Sequence, residues 1–219
     1  MFTRERVPMV YSRAELVSDA AVHLTGLVAA LLAVPVLITL AAVWVGDAST
    51  VAAALVYGVC LIGMLACSAI NNMVRLPRWK DRLRRIDQSA IYLKIAGSYT
   101  PFAVLASGHA GPFLTGVWGA ALAGATLRLV SAARLKWTSI ALYLLIGWAG
   151  ALGGGSLFAQ MTTPGFVLIV VAGGIYTAGV VFFVWERLPF HNTIWHVFVL
   201  AATFVLYAAV LVEISRHAA

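Results

Sequence analysis

The chain has 219 residues, of which 62% are hydrophobic and 11% charged, with a formal net charge of +7. Soluble domains of this size carry about 45–50% apolar and about 25% charged residues, so the composition excludes an ordinary water-soluble fold and a disordered chain. The longest polar stretches, 1–19 and 73–87, are too short for a separate soluble domain, and residues 1–219 read as one membrane-embedded domain.

A bilayer-crossing helix needs about 20 mainly apolar residues. Seven such segments follow in chain order, at 20–45, 51–73, 89–106, 113–130, 138–158, 165–185 and 193–212. The third is the weakest, because Lys94 lies inside it. Separators carry turn residues: Gly46 with Asp47, the run 108–112, and Thr162, Thr163 and Pro164. The first segment is too long for the apolar core of a signal peptide and follows a stretch with acids as well as bases, so it reads as a span. The expectation is an all-α, seven-transmembrane helix bundle without internal repeats.

Charge placement gives an orientation. Arg4, Arg6 and Arg13 precede the first span. Arg75, Arg78, Lys80, Arg82, Arg84 and Arg85 cluster between the second and third. Arg128, Arg134 and Lys136 flank the fourth-to-fifth loop, and Arg187 lies in the sixth-to-seventh. The alternate loops have no Lys or Arg, and the C-terminal tail has only Arg216. Cationic loops stay on the cytoplasmic side, against anionic headgroups. This puts the N-terminus in the cytoplasm and the C-terminus outside, opposite to a G-protein-coupled receptor. The positive charge is therefore topogenic, and nucleic acid is not expected as a partner. Cys60 and Cys67, seven apart on one helix, are separated by about 10 Å, too far for a disulfide, and read as packing residues. Gly116, Ala120 and Gly124, and Gly150 with Gly154, form small-residue rows suited to close helix approach.

Polar groups gather near the cytoplasmic face. Ser68, Asn71 and Asn72 end the second span, Asp87 opens the third, Asn192 and His196 open the seventh, and Glu15, Asp19 and His23 enter the first. Ser68 and Asn72 are i,i+4, as are Asn192 and His196, so each pair shares a helix face. Asp87, Lys94, Ser98 and Pro101 form one stripe of the third helix. Intramembrane polar residues are functional candidates. The alternative is capping, with Asp87 and Asn192 at helix N-termini.

These residues carry a resemblance. Tyr11, Ser12, Glu15, His23 and Gly26, then 83–92 (LRRIDQSAIY) and 95–102 (IAGSYTPF), then Tyr143, Gly147 and Trp148, and finally Ile194, Trp195, His196, Phe198, Val199 and Leu200 make the chain similar to the bacterial hemolysin III branch of the progestin and adiponectin receptor family, over nearly its whole length. The resemblance implies a seven-helix bundle with a cytoplasmic N-terminus. It also implies zinc, held by a Ser-x-x-x-His pattern ending the second helix and a His-x-x-x-His pattern beginning the seventh, with an aspartate opening the third beside it. A metal with an open position activates water, and the wider family includes lipid amide hydrolases. Its bacterial branch is named for a cytolytic activity.

The chain departs from that pattern. Ser68, Asp87 and His196 match, but Asn72 and Asn192 stand where the family has histidine, and carboxamides are poor zinc ligands. His191 is one residue off and points about 140° from His196 on a regular helix. His23 matches a family position as a supporting or fourth ligand. The expected metal residues are thus His196, His191 and His23, with Ser68 and Asp87 catalytic if the site is active. Lys94 has two readings: a cation that replaces the metal by pairing with Asp87, or a side chain snorkelling to the inner headgroups.

Three functions compete for a multi-pass protein of the cytoplasmic membrane. The first is a lipid-binding protein of membrane homeostasis with a degenerate metal site. The second is a zinc-dependent hydrolase of a lipid amide or ester. The third is a pore-forming cytolysin, against which stands the lack of any continuous polar stripe along a helix. Membrane lipids, or a lipid-like small molecule, are the expected partners. Oligomeric state is not legible in the sequence.

Overall fold

The computed structural model describes residues 11–74, 76–106, 111–131, 136–150, 155 and 159–218. Arg4, Arg6, Arg75, Arg134, Gly154, the turn residues 108–110 and most of 151–158 lie outside the described residues. All regular structure among those described is helical. The main helices are α1 (Arg13–Leu40), extended by a π-helical turn Ala41–Val45, α2 (Ala48–Met73), α3 (Lys80–Leu105), α4 (Gly111–Val130), α5 (Lys136–Gly147), α6 (Thr163–Val184) and α7 (His191–Arg216).

Local sequence sets the helix ends. Ser12 and Glu15 form a reciprocal capping box at the start of α1, with bonds of 2.8 and 3.2 Å. Gly46, at φ 76°, closes the π turn in the left-handed region that a Cβ disfavours. Asp47 then caps α2 by accepting from the backbone N–H of Ser49 at 2.8 Å and of Thr50 at 2.9 Å. Thr162 caps α6.

Two expectations need correction here. α3 begins at Lys80, nine residues before the expected start of the third span, so Lys80, Arg82, Arg84 and Arg85 ride on its first turns instead of a loop. Lys and Arg are good helix formers, and Arg78 and Arg82 hold the turn by standing over the Trp79 ring. As a result Asp87 lies inside α3 and caps nothing. Asn192 is likewise inside α7, whose N-cap position is Phe190.

Five of the described helices are long and apolar enough to cross a membrane: Arg13–Val45, α2, α4, α6 and α7. α3 is less apolar, because beyond its basic first turns it still carries Gln88, Lys94 and several Ser, Thr and Tyr residues, and α5 has only 12 described residues. Large apolar side chains such as Val28, Leu32, Val59, Leu122 and Val181 point outward, as lipid-facing positions do. The interior is built from small residues and buried aromatics. Gly97 of α3 lies against Cys60 of α2, and Gly124 of α4 lies under the Tyr92 ring, each so close that a Cβ would collide. Of the row Gly116, Ala120 and Gly124, only Gly124 is buried; the inward face of α4 is Val117, Ala121, Gly124, Ala125 and Arg128. Both cysteines are free thiols.

Contacts fix the two ends of the bundle. At one, Phe190 N–H donates to Glu15 at 2.9 Å, joining the starts of α1 and α7, and Asn71 donates to Asp87 at 2.9 Å, joining α2 to α3. Lys136 pairs with Glu186 there, tying α5 to the end of α6. At the other end, Glu213 of α7 accepts from Thr162 N–H at 3.0 Å, and the His217 Nε2–H donates to the Leu105 carbonyl at 3.1 Å. The first and last described residues therefore sit at opposite ends, and α3 runs from one end to the other.

Candidate polar and metal-type site

Three helices deliver the site. Asp19 and His23 are i,i+4 on α1, Ser68 and Asn72 are i,i+4 near the end of α2, and Asn192 and His196 are i,i+4 at the start of α7. Asp19 and His23 are buried, and the His23 and His196 rings meet edge to face with centroids 4.2 Å apart.

The hydrogen bonds assign the ring protons. His23 Nδ1 lies 2.8 Å from the Asp19 backbone carbonyl, which only accepts, so Nδ1–H is the donor. His196 Nδ1–H donates to Asp19 Oδ1 at 2.6 Å by the same logic. Both Nε2 atoms then carry the lone pair when the rings are neutral. That of His23 receives the Ser68 hydroxyl at 3.1 Å and the Asn72 amide at 3.4 Å. Asn192 donates to Asp19 Oδ2 at 3.3 Å and to Asn72 Oδ1 at 3.4 Å, while Asn72 also donates to the Ser68 carbonyl at 2.9 Å. The two carboxamides thus close a network across α1, α2 and α7.

Asp19, His23 and His196 form a group of metal-ligating type, with ligand atoms within 4.8 Å of one another. Two imidazoles and a carboxylate are a donor set that zinc accepts. Co-ligands on a tetrahedral zinc with bonds of about 2.0–2.2 Å stand about 3.3 Å apart. The 2.6 Å between Asp19 Oδ1 and His196 Nδ1 is a hydrogen bond instead. Asp19 orients both imidazoles at Nδ1, His196 through its carboxylate and His23 through its backbone carbonyl, as carboxylates and carbonyls behind the ligands do at metal sites. The donors left for an ion are the two Nε2 atoms and carboxamide oxygens, since Asp19 Oδ2 lies on the Nδ1 side, 3.6 Å from His23 Nδ1, and accepts from Asn192 at 3.3 Å; the Nε2 side offers fewer strong donors than a three-ligand zinc site has. The residues present therefore do not fit a tightly held zinc.

The expected residues divide as follows. His23 and His196 are brought together, with Ser68, Asn72 and Asn192 around them. Asp87 stands beside the group, accepting from Asn71 at 2.9 Å, with the Ser68 hydroxyl also directed at it and His23 acting on it through its charge. His191 is buried but outside the group; its Nε2 faces the Tyr11 hydroxyl at 3.4 Å, and its Nδ1 has no partner. Asp19 joins His23 and His196 beyond the expected set, and the signal for it in the sequence is its i,i+4 relation to His23.

Neither expectation for Lys94 holds. Its side chain is buried, Nζ donates to the Tyr176 hydroxyl of α6, and it stands 4.2 Å from the Tyr176 ring centroid. Asp87 is two turns back along α3, about 10 Å, and its carboxylate is taken by Asn71. Lys94 turns into the bundle toward α6 and makes no ion pair with Asp87.

The family profile described as "Haemolysin-III related" matches residues 14–207. Hemolysin-3 of Bacillus cereus is 34% identical over 201 residues, covering 90% of each chain. The Hemolysin-3 homolog of Bacillus subtilis (strain 168) is 32% identical over 199 residues, covering 90% of this chain and 93% of its own. The human Monocyte to macrophage differentiation factor is 29% identical over 168 residues, covering 71% of this chain and 67% of its own. With the apolar helices, these similarities make it a multi-pass membrane protein, and the chain belongs to the haemolysin-III related family.

Proposed function

We propose that the protein crosses the cytoplasmic membrane seven times, N-terminus inside and C-terminus outside, and binds the polar head of a membrane lipid at the Asp19–His23–His196 network in the service of membrane homeostasis. The observation that carries this reading is the adjacency of that network to an apolar groove of about 370 Å³ between α1 and α7, lined by Val22, Thr25, Val197, Leu200 and Phe204 among others. Val22 and Val197 are the chain neighbours of His23 and His196. A groove for an acyl chain beside a polar layer suits an amphiphile. The orientation is supported by the basic residues: Arg13, Arg78, Lys80, Arg82, Arg84, Arg85, Arg128, Lys136 and Arg187 belong to the end that holds the network, and Arg216 to the other. A crossing by α3 is supported by its 26 residues, about 39 Å of helix.

A second reading, a metal-dependent hydrolase of lipid amides or esters, is favoured by the grouping of Asp19 with two histidines and disfavoured by the hydrogen bond between Asp19 and His196. Mass spectrometry of lipids that survive detergent extraction separates the two. The expected result is one lipid class enriched over the bulk membrane and lost in the double variant Asp19→Ala with His196→Ala. Bulk lipid composition in both proteins would contradict lipid binding. Zinc-dependent release of fatty acid from a lipid amide would favour the hydrolase.

A further inference from the structure

We propose that the cavity between α3, α5, α6 and α7 is a second binding site, for a short-chain carboxylate whose anionic head pairs with Lys94. Lys94 is 5% exposed, and its ammonium is met by a phenol, Tyr176, whose hydroxyl in turn shares a 2.7 Å bond with Thr203 of α7. The seven described acidic residues are placed elsewhere. Glu15 and Asp19 engage the start of α7, Asp47 caps α2, and Asp81 lies in the exposed first turn of α3. Asp87 is held by Asn71, Glu186 by Lys136 and Glu213 by Thr162. Among the described residues no carboxylate lies within ion-pair distance of Lys94. A buried cation with only neutral partners, in a bundle that sits in lipid, is a standing demand for an anion.

The space for that anion is present. A cavity of about 80 Å³ is lined by Lys94, Ser98, Gly147, Gly173, Tyr176 and Leu206 among others. One water needs roughly 10–15 Å³ by this measure, so the cavity has room for a carboxylate head and a few carbons. Gly147 lies at its exposed rim, where a Cβ would meet nothing within 4 Å. The wall favours an amphiphile over an inorganic ion. Ser98 spends its hydroxyl on the Lys94 carbonyl at 2.7 Å, and Tyr99 donates to the Gly147 carbonyl at 2.6 Å. Few donors remain to replace the hydration shell of chloride or phosphate, whereas an alkyl body matches Ile95, Phe102 and Ile169. This site is independent of the Asp19 network, two turns further along α3 than Asp87.

The test is thermal unfolding of the full chain in a neutral detergent, titrated with sodium hexanoate, 1-hexanol, hexylamine and sodium chloride at matched ionic strength. Hexanoate should raise the midpoint saturably, and the other three should not. Lys94→Met should weaken the hexanoate response by roughly tenfold to a hundredfold, the worth of a charge-assisted hydrogen bond. Gly147→Leu crowds the rim of the cavity while keeping Lys94, and should weaken the response even if Lys94→Met fails to fold. Equal shifts from hexanol or chloride, an undiminished response in Lys94→Met, or an undiminished response in Gly147→Leu would each overturn the proposal.

Discussion

His196 donates its Nδ1–H to the Asp19 carboxylate at 2.6 Å, across the junction of α7 and α1. One acid on the first helix therefore fixes the orientation of the imidazole that opens the last helix. Through its backbone carbonyl the same residue also fixes His23. Asp19 is the hub of the network, and the other members depend on it.

Asp19→Ala should destabilise the protein by about 1–3 kcal/mol, because it leaves the half-buried His196 N–H and the Asn192 amide without their acceptor. Asp19→Asn retains an acceptor oxygen and should cost less. Thermal unfolding in detergent checks the order. An Asp19→Ala protein as stable as the wild type would mean that the network contributes nothing to the packing of α1 against α7.

Lys94→Leu should not be rescued by Asp87→Asn, since the two residues have different partners. The double-mutant coupling should lie within about 0.3–0.5 kcal/mol of zero, the scatter for independent sites. Coupling of Lys94→Leu with Tyr176→Phe should be larger, up to about 3 kcal/mol. Rescue by Asp87→Asn would restore the charge-replacement idea that the geometry rejects.

Asp47 should matter through the cap it makes on α2. Hydrogen bonds from the Ser49 and Thr50 side chains and backbone pull its carboxyl down to about 2. A folded value below the unfolded one, about 3.9, stabilises the fold at higher pH, and the effect is lost as the pH falls from about 3.9 through about 2. Asp47→Ala should lower the unfolding midpoint by about 2–4 °C near neutrality. The difference between variant and wild type should shrink below about pH 4. A difference independent of pH would show that the charge of the cap is irrelevant.

Reporter fusions should find residue 219 outside the cytoplasmic membrane and the Pro77–Trp79 segment inside. A C-terminal reporter active only in the cytoplasm would reverse the orientation.

The apolar helices and the convergence of polar groups at one end are legible in the sequence because each rests on local pattern: long apolar runs and i,i+4 spacing. Asp47 and Thr162 read there as turn residues, and the structure makes both of them, with Ser12, helix caps. The start of α3 is not legible in the sequence, because a basic run on a helix that extends beyond its apolar part has the same composition as a loop. Capping roles for Asp87 and Asn192 followed from those displaced boundaries. Asp19 was seen as polar but not as the hub, since the family pattern directs attention to α2 and α7. Lys94 was assigned by its own helix, and its true partner, Tyr176, is 82 residues away on α6, a relation no local spacing encodes.

The central claim is that the Asp19–His23–His196 group is a hydrogen-bonded network with too few strong donors to retain zinc. Elemental analysis of the purified chain tests it most directly. The account predicts well under one zinc per chain in the unmodified protein, rising toward about one when Asn72→His and Asn192→His restore the imidazoles of a three-ligand site. About one tightly held zinc in the unmodified protein, lost on His196→Ala, would contradict it and would make Asp19, His23 and His196 the ligands.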